Sequence, residues 1–576
     1  MATRIIQDYL LTGKNKNALF TLKVYRGDGM VLLAMNWKKG EPPKDFVGFS
    51  IEYKEPNGDR FYSVKNRLSF LNNDGTVCKE TRSSLLSPVQ MFRWVHFPRN
   101  ASMNGTFVYK VKPVFMNFFE ELSYGEPQQV EIELHKETYK ECLDAAFTRG
   151  YVSSQAFVDK YGSDGGVSTL LPNNSKSGVN FVPTHPKAKV ALQWMGFEAS
   201  DAIFDLLNDA IADKTAEVKV IAYDLNQPAI VDKLEKLKDR LSIIIDDSGE
   251  HREKDSAETQ VSERLYLSSQ GKVKRHHMGQ LQHNKVIVVN GSKVKAAICG
   301  STNFTWRGLY VQSNNALIVR GEKAIAPFLQ AFDNYWNADS VSDFGKTGSA
   351  LWNDLNLPDI DAKVSFSPHS TKNALLDDIA SDIADTRSSL FYSLAFLSQT
   401  SGSLKEKIGE ALDNENIFVY GVSDKKMGGL ILQKPNGNAC PVYPSEISKE
   451  LPEPFKSEPT GGFGTRMHHK FVVIDFDKPT ARVYLGSYNF SSTADRKNGE
   501  NLLLIKDRKI AVSYMIEALR IFDHYHFRVN LKEAEESHKK LHLSKPPREK
   551  GEKPWWEKFF TDPKKIKDRE MFCRNT

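Results

Sequence analysis

Two short segments of this chain carry residue types that could do chemistry together. The first, QHNKVIVVN, holds His283, Lys285 and Asn290, and is followed by GSTNF, with Ser301 and Asn303, and then by Asn314 and Asn315. The second, MHHKFVVID, holds His468, Lys470 and Asp475, and is followed by GSYNF, with Ser487 and Asn489, and then by Glu500 and Asn501. The spacing is kept: from histidine to GS-x-N asparagine is 20 residues in one copy and 21 in the other, and the next asparagine follows 12 later in both. One intervening residue puts the histidine and lysine of each copy on the same face of a strand, and the apolar run behind them anchors that strand in a core. An imidazole supplies a nucleophile or a proton carrier. Ammonium and amide groups stabilise the extra negative charge on phosphorus-bound oxygens. Cleaving a phosphodiester needs both.

The elements that must position these residues also occur twice. In the first copy a helical stripe of Ile203, Leu206, Leu207, Ala210 and Ile211 precedes the strand VKVIAYDL, a helix VDKLEKLKDR and the strand LSIIID. In the second, Leu375, Leu376, Ile379 and Ile383 precede SLFYSLAFL, the helix SLKEKIGEAL and IFVYGV. Each copy then passes through a polar, glycine-containing stretch into two apolar strands, the GS-x-NF turn, a third strand and a closing amphipathic helix, FDNYW in one and FDHYH in the other. This succession predicts an α/β fold of two similar α/β/α lobes related by a pseudo-twofold axis, with the site at their seam. Ahead of them, alternating segments such as Val47, Phe49, Ile51 and Tyr53, separated by PNGD and NNDG, predict an all-β sandwich of immunoglobulin-like or fibronectin-like form. The expected division is a β-sandwich over 1–135, lobes over 136–345 and 346–545, and a basic aromatic tail over 546–576.

The double motif resembles the phospholipase D superfamily, whose signature is His-x-Lys-x4-Asp followed by Gly-Ser-x-Asn. The resemblance covers about residues 180 to 530, and in style it leans toward the bacterial endonuclease branch. It implies a metal-independent, cofactor-free two-step displacement, in which one histidine attacks phosphorus and the other protonates the leaving oxygen and then activates water. It also implies that His283, Lys285, His468, Lys470, Asn303, Asn489 and Glu500 are catalytic, that Ser301, Ser487, Asn315 and Asn501 hold substrate, and that Asp475, Asn290 and Asn314 support them. The halves differ, because Asn314 and Asn290 stand where the second copy has Glu500 and Asp475. A carboxylate beside an imidazole favours imidazolium and an amide does not, so His283 is expected to enter neutral as nucleophile and His468 protonated as acid. His469 should face away from the site, and Cys299 should be a buried apolar residue.

Composition narrows the class. The 576 residues, 40% hydrophobic and 26% charged, can fill several cores, and no apolar run approaches a membrane span, so no transmembrane segment is expected. The opening lacks the apolar core of a secretory signal, and five scattered cysteines (Cys78, Cys142, Cys299, Cys440, Cys573) show no metal spacing, which fits a cytoplasmic setting. Residues 545–576 hold ten Lys or Arg against six Asp or Glu, most of the net +6. Trp555, Trp556, Phe559 and Phe560 there could stack on bases or lipid headgroups, or dock on the protein itself. With the KVKRHH stretch as a basic lip, nucleic acid is the expected substrate and phospholipid the alternative. A degenerate binding module, and an effector activated by a protein partner at the β-domain, complete the readings.

Overall fold

The computed structural model describes residues 8–574 apart from 79, 135–136, 396, 398–401, 425–429, 434–438, 443–466 and 539. The polar stretch of the second copy therefore falls largely outside the described residues, as does the side chain of Cys440. The chain forms two compact units, Glu137–Tyr514 and a second made of Met1–Lys136 with Met515–Thr576.

Among its described residues the latter unit contains two larger antiparallel sheets beside the small pair Lys65–Asn66 and Arg82–Ser83. One orders Leu10–Thr12, Phe20–Gly27, Met30–Trp37 and Arg93–His96; the other orders Leu122–Tyr124, Thr106–Met116, Phe46–Lys54 and Tyr62–Ser63, with Gln128–Glu133 also on Thr106–Met116. Alternate residues of both, among them Phe20, Leu22, Val31, Leu33, Phe49, Ile51, Phe107 and Tyr109, fill one core. The expected run of Val47 with Phe49 and Ile51 is broken by a register shift between Phe46 and Gly48. That shift sends Val47 to a separate cluster with Val114 and Met116.

The aromatic tail is not a free arm. Trp555, Trp556 and Phe559 are members of the sandwich core, and the indole N–H groups of Trp555 and Trp556 donate to the carbonyls of Phe46 (3.0 Å) and Pro43 (3.2 Å). These rings are thus unavailable for bases or headgroups. The tail and the end of the long helix Arg508–Glu536 belong with the front strands, where the sequence suggested a boundary at 546.

Within Glu137–Tyr514 the two lobes repeat one topology. The first sheet orders Leu143–Phe147, Asn315–Arg320, Lys295–Gly300, Lys285–Asn290, Glu217–Ala222, Leu241–Ile245 and Val273–Arg275. The second orders Asp361–Ser367, Glu500–Lys506, Arg482–Gly486, Lys470–Ile474, Ser389–Leu394 and Phe418–Asp424 in the same sequence of roles, with an edge strand before and a hairpin after. In each, only the strands following the first helix-strand unit run parallel. The fold is α/β with two lobes of one topology, as the repeat indicated. Among the described residues no helix is long and apolar enough to cross a membrane.

Candidate active site

Each His-x-Lys segment enters its lobe as a central strand, flanked on both sides by antiparallel partners. The lobes meet through the residues just ahead of these strands. Gln282 bridges to Gly499, and Met467 to Ser313, both parallel, so that each histidine lies beside the third strand of the opposite lobe. Gly499 N–H donates to the Leu281 carbonyl (2.8 Å) and His468 N–H to the Ser313 carbonyl (3.1 Å).

This exchange brings the two imidazoles together, their ring centroids 6.3 Å apart at 68°. His283 and His468 are 5% and 7% exposed. Two rings this close can act on one phosphorus held about 3–3.5 Å from an attacking nitrogen. The ring partners are crossed. Nδ1 of His283 meets Glu500 Oε2 at 2.7 Å, and Nδ1 of His468 meets Asn314 Oδ1 at 2.9 Å and the Ser301 carbonyl at 3.0 Å. These acceptors place the proton of each neutral ring on Nδ1 and leave Nε2 as the reactive atom. The carboxylate therefore belongs to His283, not to His468 as the within-copy comparison implied, because the strand bearing it comes from the other lobe.

Electrostatics follow from burial and charge. Burial lowers the proton affinity of His283, with Glu500 acting in the opposite sense. His468 is held well below the usual imidazole range by burial, and Lys470 and Lys285 push the same way. Lys285 is lowered to about 8 by burial, against Glu500, Asp224 and Asp246. Both ammonium groups donate to the carbonyl of their own histidine, Lys470 at 2.7 Å. An anion between the rings would restore the protons and charges that burial disfavours.

The remaining expected residues divide. Asn303 and Asn489 each carry a side-chain Oδ1 without a hydrogen-bond partner, as groups awaiting a ligand do. Ser301, Ser487, Asn315 and Asn501 also bond within the framework, while Asn315 keeps its Oδ1 without a partner. Ser301 Oγ accepts from Asn315 N–H (3.0 Å) and donates to Asn314 Oδ1 (2.9 Å); Ser487 Oγ accepts from Asn501 N–H (3.0 Å). Across the seam Asn501 Nδ2 donates to Asn284 Oδ1 (2.8 Å), and Asn315 Nδ2 pairs with His469 Nδ1 (3.2 Å). His469 is thus a buried seam residue.

Asp475 and Asn290 lie at the far ends of their strands and orient no imidazole. Asp475 accepts the backbone N–H groups of Arg387, Ser388 and Ser389. In the first lobe Asp213 does the corresponding work on the turn at Lys293 and Val294, and Asn290 is exposed. The basic lip is also engaged internally. Lys272 and Lys274 donate to the carbonyls of Asp239 and Trp336, Arg275 to those of Asp246 and His251, and His277 pairs with Asp247. The sequence reading missed Asp224, Asp246 and His251, described below. A carboxylate directly after the apolar strand VKVIAY was the available signal, since strand carboxyl ends are where α/β sheets build sites.

A family model described as "Cardiolipin synthase, PLD-like domain" matches residues 205–336 and 430–521, which hold both histidine-lysine pairs. These matched residues carry the likeness of the chain to the phospholipase D superfamily. Within this superfamily, a segment of 48 residues is 48% identical to a phospholipase D of Rickettsia prowazekii (strain Madrid E) and 44% to that of Rickettsia felis, covering 8% of this chain. The match spans about a fifth of the length of those curated relatives, 22% in each. Among solved structures, a phospholipase D family member, Nuc, from Salmonella typhimurium matches 23% of this chain and 84% of its own at 23% identity and TM-score 0.17. Yeast tyrosyl-DNA phosphodiesterase matches 53% of this chain and 87% of its own at 12% identity and TM-score 0.28.

Proposed function

We propose that this phospholipase D-like chain is a metal-independent phosphodiesterase that works through a phosphohistidine, with nucleic acid as its substrate. The observation that carries the reading is the pair of buried imidazoles 6.3 Å apart, each with Nδ1 fixed by an acceptor from, or at, the opposing lobe. Nε2 of His283 attacks phosphorus, and the bond to the leaving oxygen breaks as that oxygen takes a proton from Nε2 of His468. Neutral His468 then removes a proton from water, whose oxygen displaces His283 from phosphorus. One water is consumed and both rings return to their starting state.

The roles are those expected from sequence, but the reason is replaced. Phosphorylated His283 is a cation, and Glu500 stabilises it through the lifetime of the intermediate. His468, among neutral acceptors and cations, is a strong acid once substrate has restored its proton. Lys285, Lys470, Asn303 and Asn489 meet the phosphoryl oxygens.

For the substrate, the short histidine-to-asparagine spacing, in the style of the bacterial endonuclease branch, favours nucleic acid. Phospholipid is the second reading, favoured by the names of the Rickettsia relatives and by Phe118 and Phe119, 74% and 80% exposed at the turn between Thr106–Met116 and Leu122–Tyr124. Incubation in EDTA with plasmid, single-stranded DNA, RNA and phosphatidylcholine vesicles separates them. Cleavage of nucleic acid that is lost in H283N supports the proposal. Turnover of vesicles alone overturns the substrate, and no turnover without divalent metal overturns the mechanism.

A further inference from the structure

Beside His283 the first lobe holds a second chain of charged groups that the displacement itself does not use. Asp246 is fully buried and sits at its base. Its Oδ1 accepts the N–H of Gln282, the residue before His283, at 2.6 Å. Its Oδ2 accepts from Ser248 N–H (3.0 Å) and from His251 Nδ1 (2.7 Å). The other nitrogen of His251 meets Asp224 Oδ1 at 2.9 Å, and Asp224 Oδ2 accepts from Asn303 Nδ2 at 2.6 Å. The His251 ring packs on Tyr223, whose centroid is 4.7 Å from it and 4.7 Å from that of His283. The chain thus runs from the backbone at the nucleophile to the side chain of the GS-x-N asparagine.

We propose that Asp246, His251 and Asp224 are a positioning relay that holds the Asn303 amide for the phosphoryl group in the first lobe. The inference rests on the functional reading above. With one amide N–H fixed on Asp224, the second N–H and the unpartnered Oδ1 have a single orientation. His251 bridges two carboxylates and so must carry protons on both nitrogens. Burial opposes that charge, but the bonds to Asp224 and Asp246 outweigh it and push the ring up to about 11.

The register shows why this belongs to one lobe. Ala222 pairs with Lys285 and Leu394 with Lys470, so the two residues that follow are Tyr223-Asp224 in the first copy and Ala395-Phe396 in the second. The second copy has no carboxylate at this place, and among the described residues Asn489 has no counterpart of Asp224.

Asp224, His251 and Glu258 could also be read as a metal group, since one ligand atom from each lies within 4.8 Å of the others. Both nitrogens of His251 already lie at hydrogen-bond distance from carboxylates, Asp246 at 2.7 Å and Asp224 at 2.9 Å, which favours the relay.

The test uses the full chain with D224N, H251Q, N303A and D224N/N303A, read by turnover of bis(p-nitrophenyl) phosphate and, separately, by affinity for orthovanadate in EDTA. The relay gives a loss of about 10–100-fold in kcat and in vanadate affinity for D224N and H251Q, the range for a hydrogen bond to a charged group. KM should stay within a few-fold, and D224N should add nothing in the N303A background. Equal losses from D224N with and without Asn303, or wild-type behaviour of both single variants, would overturn it. So would vanadate binding that needs added zinc or manganese, or that is absent from the wild type. If the wild type binds vanadate but turns over no diester, the functional reading fails while the affinities still decide the relay.

Discussion

At the scale of single residues the decisive feature is the exchange of partners across the seam. Glu500 is fully buried, and its two oxygens are accounted for by His283 and by Asn498 Nδ2 at 3.1 Å. Removing its charge leaves size and packing almost unchanged, so E500Q isolates the electrostatic contribution. Its kcat should fall on the order of 10²-fold, as when one stabilising group is removed from a developing charge. The sign of the titration follows too. Glu500 raises the proton affinity of His283 against burial, so in E500Q the His283 midpoint, read from its ring proton resonance, should move further below the ordinary 6.5. An upward move would contradict the assignment. The sequence could not disclose this pairing: Glu500 is 32 residues from His468 and 217 from His283, and only the bridges Gln282–Gly499 and Ser313–Met467 make it the partner of the distant ring.

At the scale of elements, the repeat was legible because its hydrophobic periods, turns and spacings recur together, and the central strands fall where the motifs put them. The GS-x-N turn shows what the spacing encodes. Gly300 and Gly486 have φ of +135° and +147°, and a Cβ there would meet the carbonyl oxygens of Asn315 and Asn501 at 2.6 and 2.2 Å. The glycine lets the third strand close against the turn, which aligns Asn314 in one lobe and Glu500 in the other with the opposite imidazole. G300A and G486A should each lower thermal stability and cut activity, G486A more severely. Circular dichroism melts matching wild type would exclude this role. What the pattern concealed was the use of polar groups. Ser301, Ser487, Asn315 and Asn501 look like substrate ligands in sequence, and in the structure they also partner one another, Ser301 with Asn315 and Ser487 with Asn501.

At the scale of the whole molecule, the chain closes on itself by composition as much as by order. The terminal aromatic run, ten cations around four rings, reads in sequence either as an arm for bases or headgroups or as a segment docked on the protein, and Trp555 stacks within 5.4 Å of Phe92 in the sandwich core. W555A should destabilise the unit of Met1–Lys136 with Met515–Thr576 by about 3–5 kcal/mol, the cost of emptying a buried aromatic site. Denaturant melts followed by the fluorescence of the remaining tryptophans would check it. The sandwich and the lobes were both visible as patterns, whereas the union of the two chain ends in one core was not, since no local period links residue 46 to residue 555. The central claim is that two imidazoles act on one phosphorus, with His283 taking the covalent bond. It is tested most directly by the mass of H468N after exposure to bis(p-nitrophenyl) phosphate in EDTA. The account expects one equivalent of p-nitrophenolate to be released in a burst, leaving a p-nitrophenyl phosphoryl adduct on His283 and none in H283N. An adduct on His468 in the converse variant, or steady turnover by H468N at the wild-type rate, would contradict it.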